Sequence, residues 1–339
     1  MQLNLQQITA VTRGAVCVEQ QTDGFHFSRF SKSEQDMYNQ TKFADKHPST
    51  AGISLEFDTD ATALSLAITE QPASSRKYFA MDVFANGEYV GSLRNFEDGN
   101  KACGYAGREY PIGDFEGTFS LGQGSKRVRV LFPWSAKCVL RRAELTDATF
   151  FAPVPVRPKM LLYGDSITHG YDALHPSGAY SDRLALALGY EGVNKAIGGD
   201  MFRPELAEQD SGVEAELITV AYGTNDWNKL DVNTFRANCR GFMEALCRRN
   251  PHARIFVITP IWRRDEDDPP REFGPFAQVE PTIRELCTDL PVTVIRGYDF
   301  LPHDIATFGD TKLHPNHYGF DFYFKSLLAV IEKEMRENK

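Results

Sequence analysis

Met160-Leu161-Leu162-Tyr163-Gly164-Asp165-Ser166-Ile167-Thr168 is the stretch on which the fold turns. Four large apolar or aromatic residues in a row read as a short strand buried on both faces, and the glycine after them lets the chain turn sharply. Three further runs have the same form: Leu217-Ile218-Thr219-Val220-Ala221, Ile255-Phe256-Val257-Ile258 and Val292-Thr293-Val294-Ile295. Between and after them, apolar residues recur at helical spacing, as in Phe235, Cys239, Phe242 and Leu246, in Phe276, Val279, Ile283 and Leu286, and in Phe324, Leu328, Ile331 and Met335. Such alternation predicts a parallel sheet with helices on both faces, a three-layer α/β/α architecture over residues 159–339.

Upstream the period changes to two. Ile53, Leu55 and Phe57 alternate with other residues, as do Leu64, Leu66 and Ile68, and 126–132 reads as a further strand. Asn86-Gly87 sits between Asp82-Val83-Phe84-Ala85 and Tyr89-Val90-Gly91-Ser92, a hairpin signal because both turn positions need positive φ. Residues 1–150 therefore predict an all-β sandwich, jelly-roll-like, without helices. Three prolines in TFFAPVPVRP (149–158) predict a semi-rigid linker over 151–158.

Composition narrows the function. The 339 residues hold 37 basic and 46 acidic side chains, a net charge of −9. Nucleic acids and anionic membranes call for a basic surface, so neither is an expected partner. No apolar run approaches the roughly 20 residues that span a bilayer, and the first sixteen residues lack a basic segment followed by an apolar one. Cys17, Cys103, Cys138, Cys239, Cys247 and Cys287 form no C-x-x-C pair. They read as reduced thiols, not as disulfides or a zinc site, which suits the cytoplasm. Neither metal nor cofactor is expected, and association into a homo-oligomer stays open.

In an open parallel sheet, ligands bind beyond the carboxyl ends of the strands. Four segments carry polar residues at such places: Gly164-Asp165-Ser166-Ile167-Thr168, Asn194-Lys195-Ala196-Ile197-Gly198-Gly199-Asp200, Tyr222-Gly223-Thr224-Asn225-Asp226, and Asp310-Thr311-Lys312-Leu313-His314-Pro315-Asn316. Taken singly, each reads as a turn, a helix cap or a solvated histidine. Together they offer a hydroxyl nucleophile, an imidazole base and convergent N–H donors, the requirements of acyl transfer.

These four blocks, in this order, resemble those of the SGNH hydrolases, also called GDSL-type esterases, over residues 157–339. G-D-S-I matches the first block, Gly199 the second, G-T-N-D the third and L-H-P-N the fourth. The G-x-S-x-G elbow of the α/β-hydrolases is absent around Ser166. The resemblance implies that Ser166 is the nucleophile. It implies an oxyanion hole built from the N–H groups of Ser166 and Gly199 and the Asn225 amide. It also implies that His314 is the base, oriented by Asp310. The family spaces its acid and base as D-x-x-H, whereas this chain reads Asp310-x-x-x-His314. Two arrangements thus stay open: a triad through Asp310, or a Ser–His dyad with the imidazole oriented by a main-chain carbonyl. His317 is a rival base outside the matched position. His169 and His175 read as pocket-rim or surface residues. Asp165, Trp227 and Trp262 are candidate substrate-pocket residues, with core packing the equal alternative for the tryptophans.

A β-sandwich ahead of an SGNH domain resembles family 2 carbohydrate esterases and related bacterial sugar deacetylases. That implies a metal-free serine esterase that removes short acyl groups, chiefly acetyl, from a small acylated saccharide or similar ester. A lipase or thioesterase acting on longer chains, a non-catalytic carbohydrate-binding protein and an assembly role for the β half are the alternatives.

Overall fold

A computed structural model of the chain describes residues 1–97 and 110–337. Cys103 lies outside the described residues, and the other five cysteines are unpaired. No helix among the described residues is long and apolar enough to cross a membrane.

The second half is built on five parallel strands in the spatial order Glu191–Asn194, Lys159–Gly164, Leu217–Ala221, Arg254–Ile258, Val292–Ile295. Chain direction across the sheet reverses its progress between Lys159–Gly164 and Leu217–Ala221, so the switch point lies between the strands that lead to Ser166 and Asn225. Met160, Leu161, Leu162 and Tyr163 are all buried, as a strand covered on both faces requires. Leu161 and Tyr163 pack with Phe235, Phe242 and Ile283 of the helices Val232–Arg249 and Val279–Cys287. Met160 and Leu162 face the other way, toward Tyr180 and Leu184 of Tyr180–Ala187 and Phe320 of His317–Glu337. The expected three layers are present. The strand Glu191–Asn194 and the helix Tyr180–Ala187 were not expected, and neither has a continuous apolar run or stripe to announce it.

The first half forms two antiparallel sheets. One runs Thr12–Arg13, Ser54–Thr59, Lys126–Leu131, Ala80–Ala85, Glu88–Arg94, and the other Cys17–Gln21, Gly24–Ser28, Ala136–Thr146, Ala63–Pro72, Gly113–Ser120. Leu55, Phe57, Val128 and Val130 from the first pack with Leu64, Leu66, Ile68 and Leu140 from the second in one core. The Asn86-Gly87 hairpin has φ of 53° and 85°, the positive pair that the dipeptide announces.

Two expectations need correction. Residues 1–150 do contain helices, Leu5–Val11 and Lys32–Asn39, each opened by a capping box, Asn4 with Gln7 and Ser31 with Glu34. The expected linker is partly structured, since Phe151–Pro153 pairs antiparallel with Ser54–Thr59.

The two halves also share interior. Phe30, Tyr38 and Phe43 are buried in the helix–sheet core of the second half. Glu34 meets Lys195 at 2.5 Å, both wholly buried. Arg29, also buried, donates to the carbonyls of Asn194 and Ala196 at 2.7 Å each. Burial pulls its guanidinium down to about 9. These contacts clamp residues 29–50 onto the loop after Glu191–Asn194.

Candidate active site

Ser166 opens a single-turn helix, Ser166–His169, directly beyond the strand Lys159–Gly164. Asp165 caps that turn by accepting the Ile167 N–H at 2.9 Å. It is 3 % exposed, and burial pushes its carboxyl up to about 6. One carboxylate oxygen of Asp165 is thus given to the first helical turn, and the residue also lines a small cavity beside Tyr222 and Thr224. Gly164 must lack a side chain, because a Cβ there would lie 2.2 Å from the Thr168 hydroxyl.

His314 enters from the loop ahead of the last helix. Its Nε2 lies 2.8 Å from Ser166 Oγ. Its Nδ1 lies 2.6 Å from Asp310 Oδ2. The second oxygen of Asp310 accepts the backbone N–H groups of Lys312, Leu313 and His314 at 2.9, 2.8 and 3.1 Å. This turn, with Thr311 at φ 58°, absorbs the extra residue in Asp310-x-x-x-His314 and still brings carboxylate to imidazole. The hydrogen bonds to His314 and the backbone hold the Asp310 carboxyl well below the usual carboxylate range, against the opposing effect of burial. His317 is exposed at the start of the last helix.

Asn225 sits in the first turn of Thr224–Lys229, after the strand Leu217–Ala221. Its Nδ2 donates to the Asp200 carbonyl at 3.0 Å, which fixes the amide and leaves it a second hydrogen. Gly199 has φ of 91°, a conformation suited to glycine. Gly198 is required for another reason: a Cβ there would lie 2.3 Å from the Tyr171 ring. The Gly198 N–H donates to Nδ1 of His169 at 3.1 Å.

His169 is thus not at the rim, as expected, but 1 % exposed beneath the glycine loop. Its Nε2 reaches the Trp134 carbonyl at 2.8 Å and the Ser49 hydroxyl at 2.9 Å. With Nδ1 accepting, Nε2 carries the hydrogen. Burial, aided by Arg29, drives its pKa well below the ordinary value, so the ring is neutral. His175 is half-buried with Nδ1 at 2.7 Å from Asp82 of the first half.

Of the two readings open for the tryptophans, core packing holds for Trp227. Trp227 is 1 % exposed, donates to the Gly274 carbonyl at 2.9 Å, and is faced by the guanidinium groups of Arg263 and Arg271 at 4.9 and 5.0 Å. It belongs to the core and cannot meet a substrate. Trp262 is half-buried, stacked on His303 with centroids 5.2 Å apart and packed on Phe308 below the His314 loop.

Sequence reasoning missed the contribution of the β half. Arg76 pairs with Asp172 at 2.7 Å and brings Nη2 to 3.5 Å from Nδ1 of His314. Tyr171, beneath Arg76, packs on the His314 ring with centroids 5.6 Å apart. Asp172, Asp310 and His314 offer atoms within 4.8 Å of one another, the spacing of a metal site. The Arg76 guanidinium already supplies the cation there, and Asp310 and His314 are committed to each other.

A serine hydroxyl against an imidazole that is itself held by a carboxylate, at the switch point of a parallel sheet, has the form of an ester hydrolase site. Residues 162–322 match the model of the GDSL-like lipase/acylhydrolase family. No curated protein matches the chain. Solved structures similar to nearly its whole length include a GDSL-like lipase from Bacteroides ovatus, with TM-score 0.76 and 19 % identity, covering 99 % of this chain and 98 % of that one. A salicylyl-acyltransferase, SsfX3, from a tetracycline biosynthetic pathway is similar at TM-score 0.72 and 20 % identity, over 93 % and 92 %. A family two carbohydrate esterase from Clostridium thermocellum, in complex with cellohexaose, is similar at TM-score 0.63 and 16 % identity, over 91 % and 98 %. These likenesses extend the shared fold to the β half.

Proposed function

We propose that the protein is a serine esterase that removes short acyl groups, chiefly acetyl, from a saccharide. The observation that carries this reading is the continuous path from Ser166 Oγ to His314 Nε2 at 2.8 Å and from His314 Nδ1 to Asp310 Oδ2 at 2.6 Å. The saccharide reading draws on the fold shared with the cellohexaose-bound esterase and on the β-half-first order of the chain.

Asp310 accepts the Nδ1 hydrogen, which leaves the Nε2 lone pair facing the serine. As Oγ forms its bond to the acyl carbon, its proton passes to Nε2, and Asp310 steadies the imidazolium. The carbonyl oxygen becomes an alkoxide that takes hydrogen bonds from the Ser166 and Gly199 N–H groups and the Asn225 amide. The bond to the leaving alcohol then breaks, and Nε2 returns its proton to that oxygen. Water repeats the sequence, freeing the acid and restoring Ser166.

The test is a series of 4-nitrophenyl esters from two to twelve carbons, with Ser166→Ala as control. Loss of at least about 10³-fold in Ser166→Ala, with an unchanged circular dichroism spectrum, supports the nucleophile. A sharp optimum at two carbons supports the short-acyl reading, whereas an optimum at eight or more replaces it with a lipase.

A further inference from the structure

The chain carries net charge −9, yet cations gather around the glycine loop of its site. A Cβ built on Gly199 would lie 3.9 Å from Lys46 Nζ and 3.9 Å from Lys229 Nζ. Both ammonium groups are anchored, Lys46 on the Gly198 carbonyl at 2.9 Å and Lys229 on the Gly199 carbonyl at 3.1 Å. A groove of about 610 Å³ borders the segments 42–48 and 71–75, with Lys42, Lys46 and Lys137 on its walls and Asp45 as its single acid. That groove abuts the nucleophile's side of the site, because Ser75 contacts the Tyr171 hydroxyl at 3.4 Å and Tyr171 packs on His314.

Lys32, Lys159, Lys195, Lys312, Lys325 and Lys333 each lie against a carboxylate. Among the described residues, Lys42, Lys46, Lys77, Lys126, Lys137 and Lys229 form no such pair, and four of these six lie along the groove or over Gly199. Two ammonium groups facing one spot repel each other, and among the described residues neither forms an ion pair with a carboxylate. Burial first, and then the Lys42 and Lys46 charges, pull the Lys229 pKa down against the opposing Asp165 and Asp226 carboxylates. A ligand anion would relieve that repulsion.

We propose that the ester cleaved at Ser166 carries a carboxylate or phosphate elsewhere on its alcohol, which lies over Gly199 between Lys46 and Lys229, with Lys42 and Lys137 drawing it in along the groove. An acylated uronate or sugar phosphate has this chemistry. The inference rests on the esterase reading above and adds the charge of the substrate.

The experiment compares kcat/KM for matched acetyl esters: an acetylated methyl glucuronoside, its neutral methyl ester, and an acetylated glucose 6-phosphate beside acetylated glucose. A preference of about tenfold or more for the anionic member, falling as salt rises from 20 to 300 mM, is the expected result. The uronate arm against the phosphate arm identifies which anion is taken. Lys46→Gln/Lys229→Gln should cut the anionic-to-neutral ratio by about tenfold. Lysines that served only the oxyanion or the loop would lower both rates together and leave the ratio alone. Lys42→Gln/Lys137→Gln, which touches neither glycine, should lower the ratio and flatten the salt dependence even if the first pair folds poorly. Equal rates on anionic and neutral esters overturn the proposal and leave the esterase standing. Absence of turnover on every ester in the wild type overturns both.

Discussion

Asp310→Asn separates a triad from a dyad, and the structure sets the size of the effect. Asp310 has two tasks. One oxygen accepts three backbone N–H groups and shapes the turn, while the other holds His314 Nδ1 at 2.6 Å. Asparagine can keep its carbonyl oxygen on the turn, so the fold should persist. Its NH2 then points at Nδ1 and donates where the carboxylate accepted. That donation selects the tautomer with hydrogen on Nε2, which cannot take the Ser166 proton. Arg76 Nη2, 3.5 Å from Nδ1, favours the same tautomer. The carboxylate's attraction for the imidazolium is lost as well. Two unit charges about 4 Å apart at an effective dielectric near 20 interact by about 4 kcal/mol, equivalent to about 10³-fold in rate. We expect kcat for 4-nitrophenyl acetate to fall about 10³-fold, with KM little changed and a melting temperature within a few degrees of wild type. A loss of tenfold or less in a folded variant would show that the 2.6 Å contact does no chemical work and refute the triad.

Two further outcomes are expected. Gly198→Ala places a methyl group 2.3 Å from the Tyr171 ring, so the glycine loop must move; kcat should fall by about 10²-fold or more, and an unchanged kcat would mean the loop supplies no donor to the reaction. Glu70 is buried in the strand Ala63–Pro72, and burial pushes its carboxyl up to about 7, against the opposing hydrogen bond from Gly113. An acid with a raised folded-state pKa binds its proton more tightly when folded, so it lowers stability as pH rises from about 4.5 to 7. Glu70→Gln should therefore gain on the wild type by about 1–3 kcal/mol between pH 5 and 8 in urea titrations, and a pH-independent difference would contradict the buried titration.

The four candidate blocks were visible because each is local: a strand, a glycine and a polar residue within a few positions. The parallel sheet was legible for the same reason, since Met160-Leu161-Leu162-Tyr163 states its two-sided burial in four letters. What escaped was whatever depends on remote partners. His169 looks like a rim histidine until Ser49, Trp134 and Gly198 close around it. Lys46 meets the Gly198 carbonyl across 152 positions. The β half looks separable until Arg76 and Asp172 meet beside His314. The helix Lys32–Asn39 is a different kind of miss, because Ser31-x-x-Glu34 is a capping box in plain view.

The misplacement of Trp227 and the omission of Lys229 have one geometric cause. Asn225, Trp227 and Lys229 share the helix Thr224–Lys229. Successive helical residues rotate by about 100°, so a residue two positions on points about 200° away, and one four positions on returns to within about 40°. If Asn225 is aimed at the oxyanion, Trp227 must face the opposite side, where Phe276 and the two arginines enclose it. Lys229 must then share Asn225's face, as its 3.1 Å contact with the Gly199 carbonyl shows. Proximity along the chain to a motif suggested the tryptophan. Helical rotation rejects it and selects the lysine, and with the lysine comes one of the two ammonium groups on which the proposed anionic substrate depends.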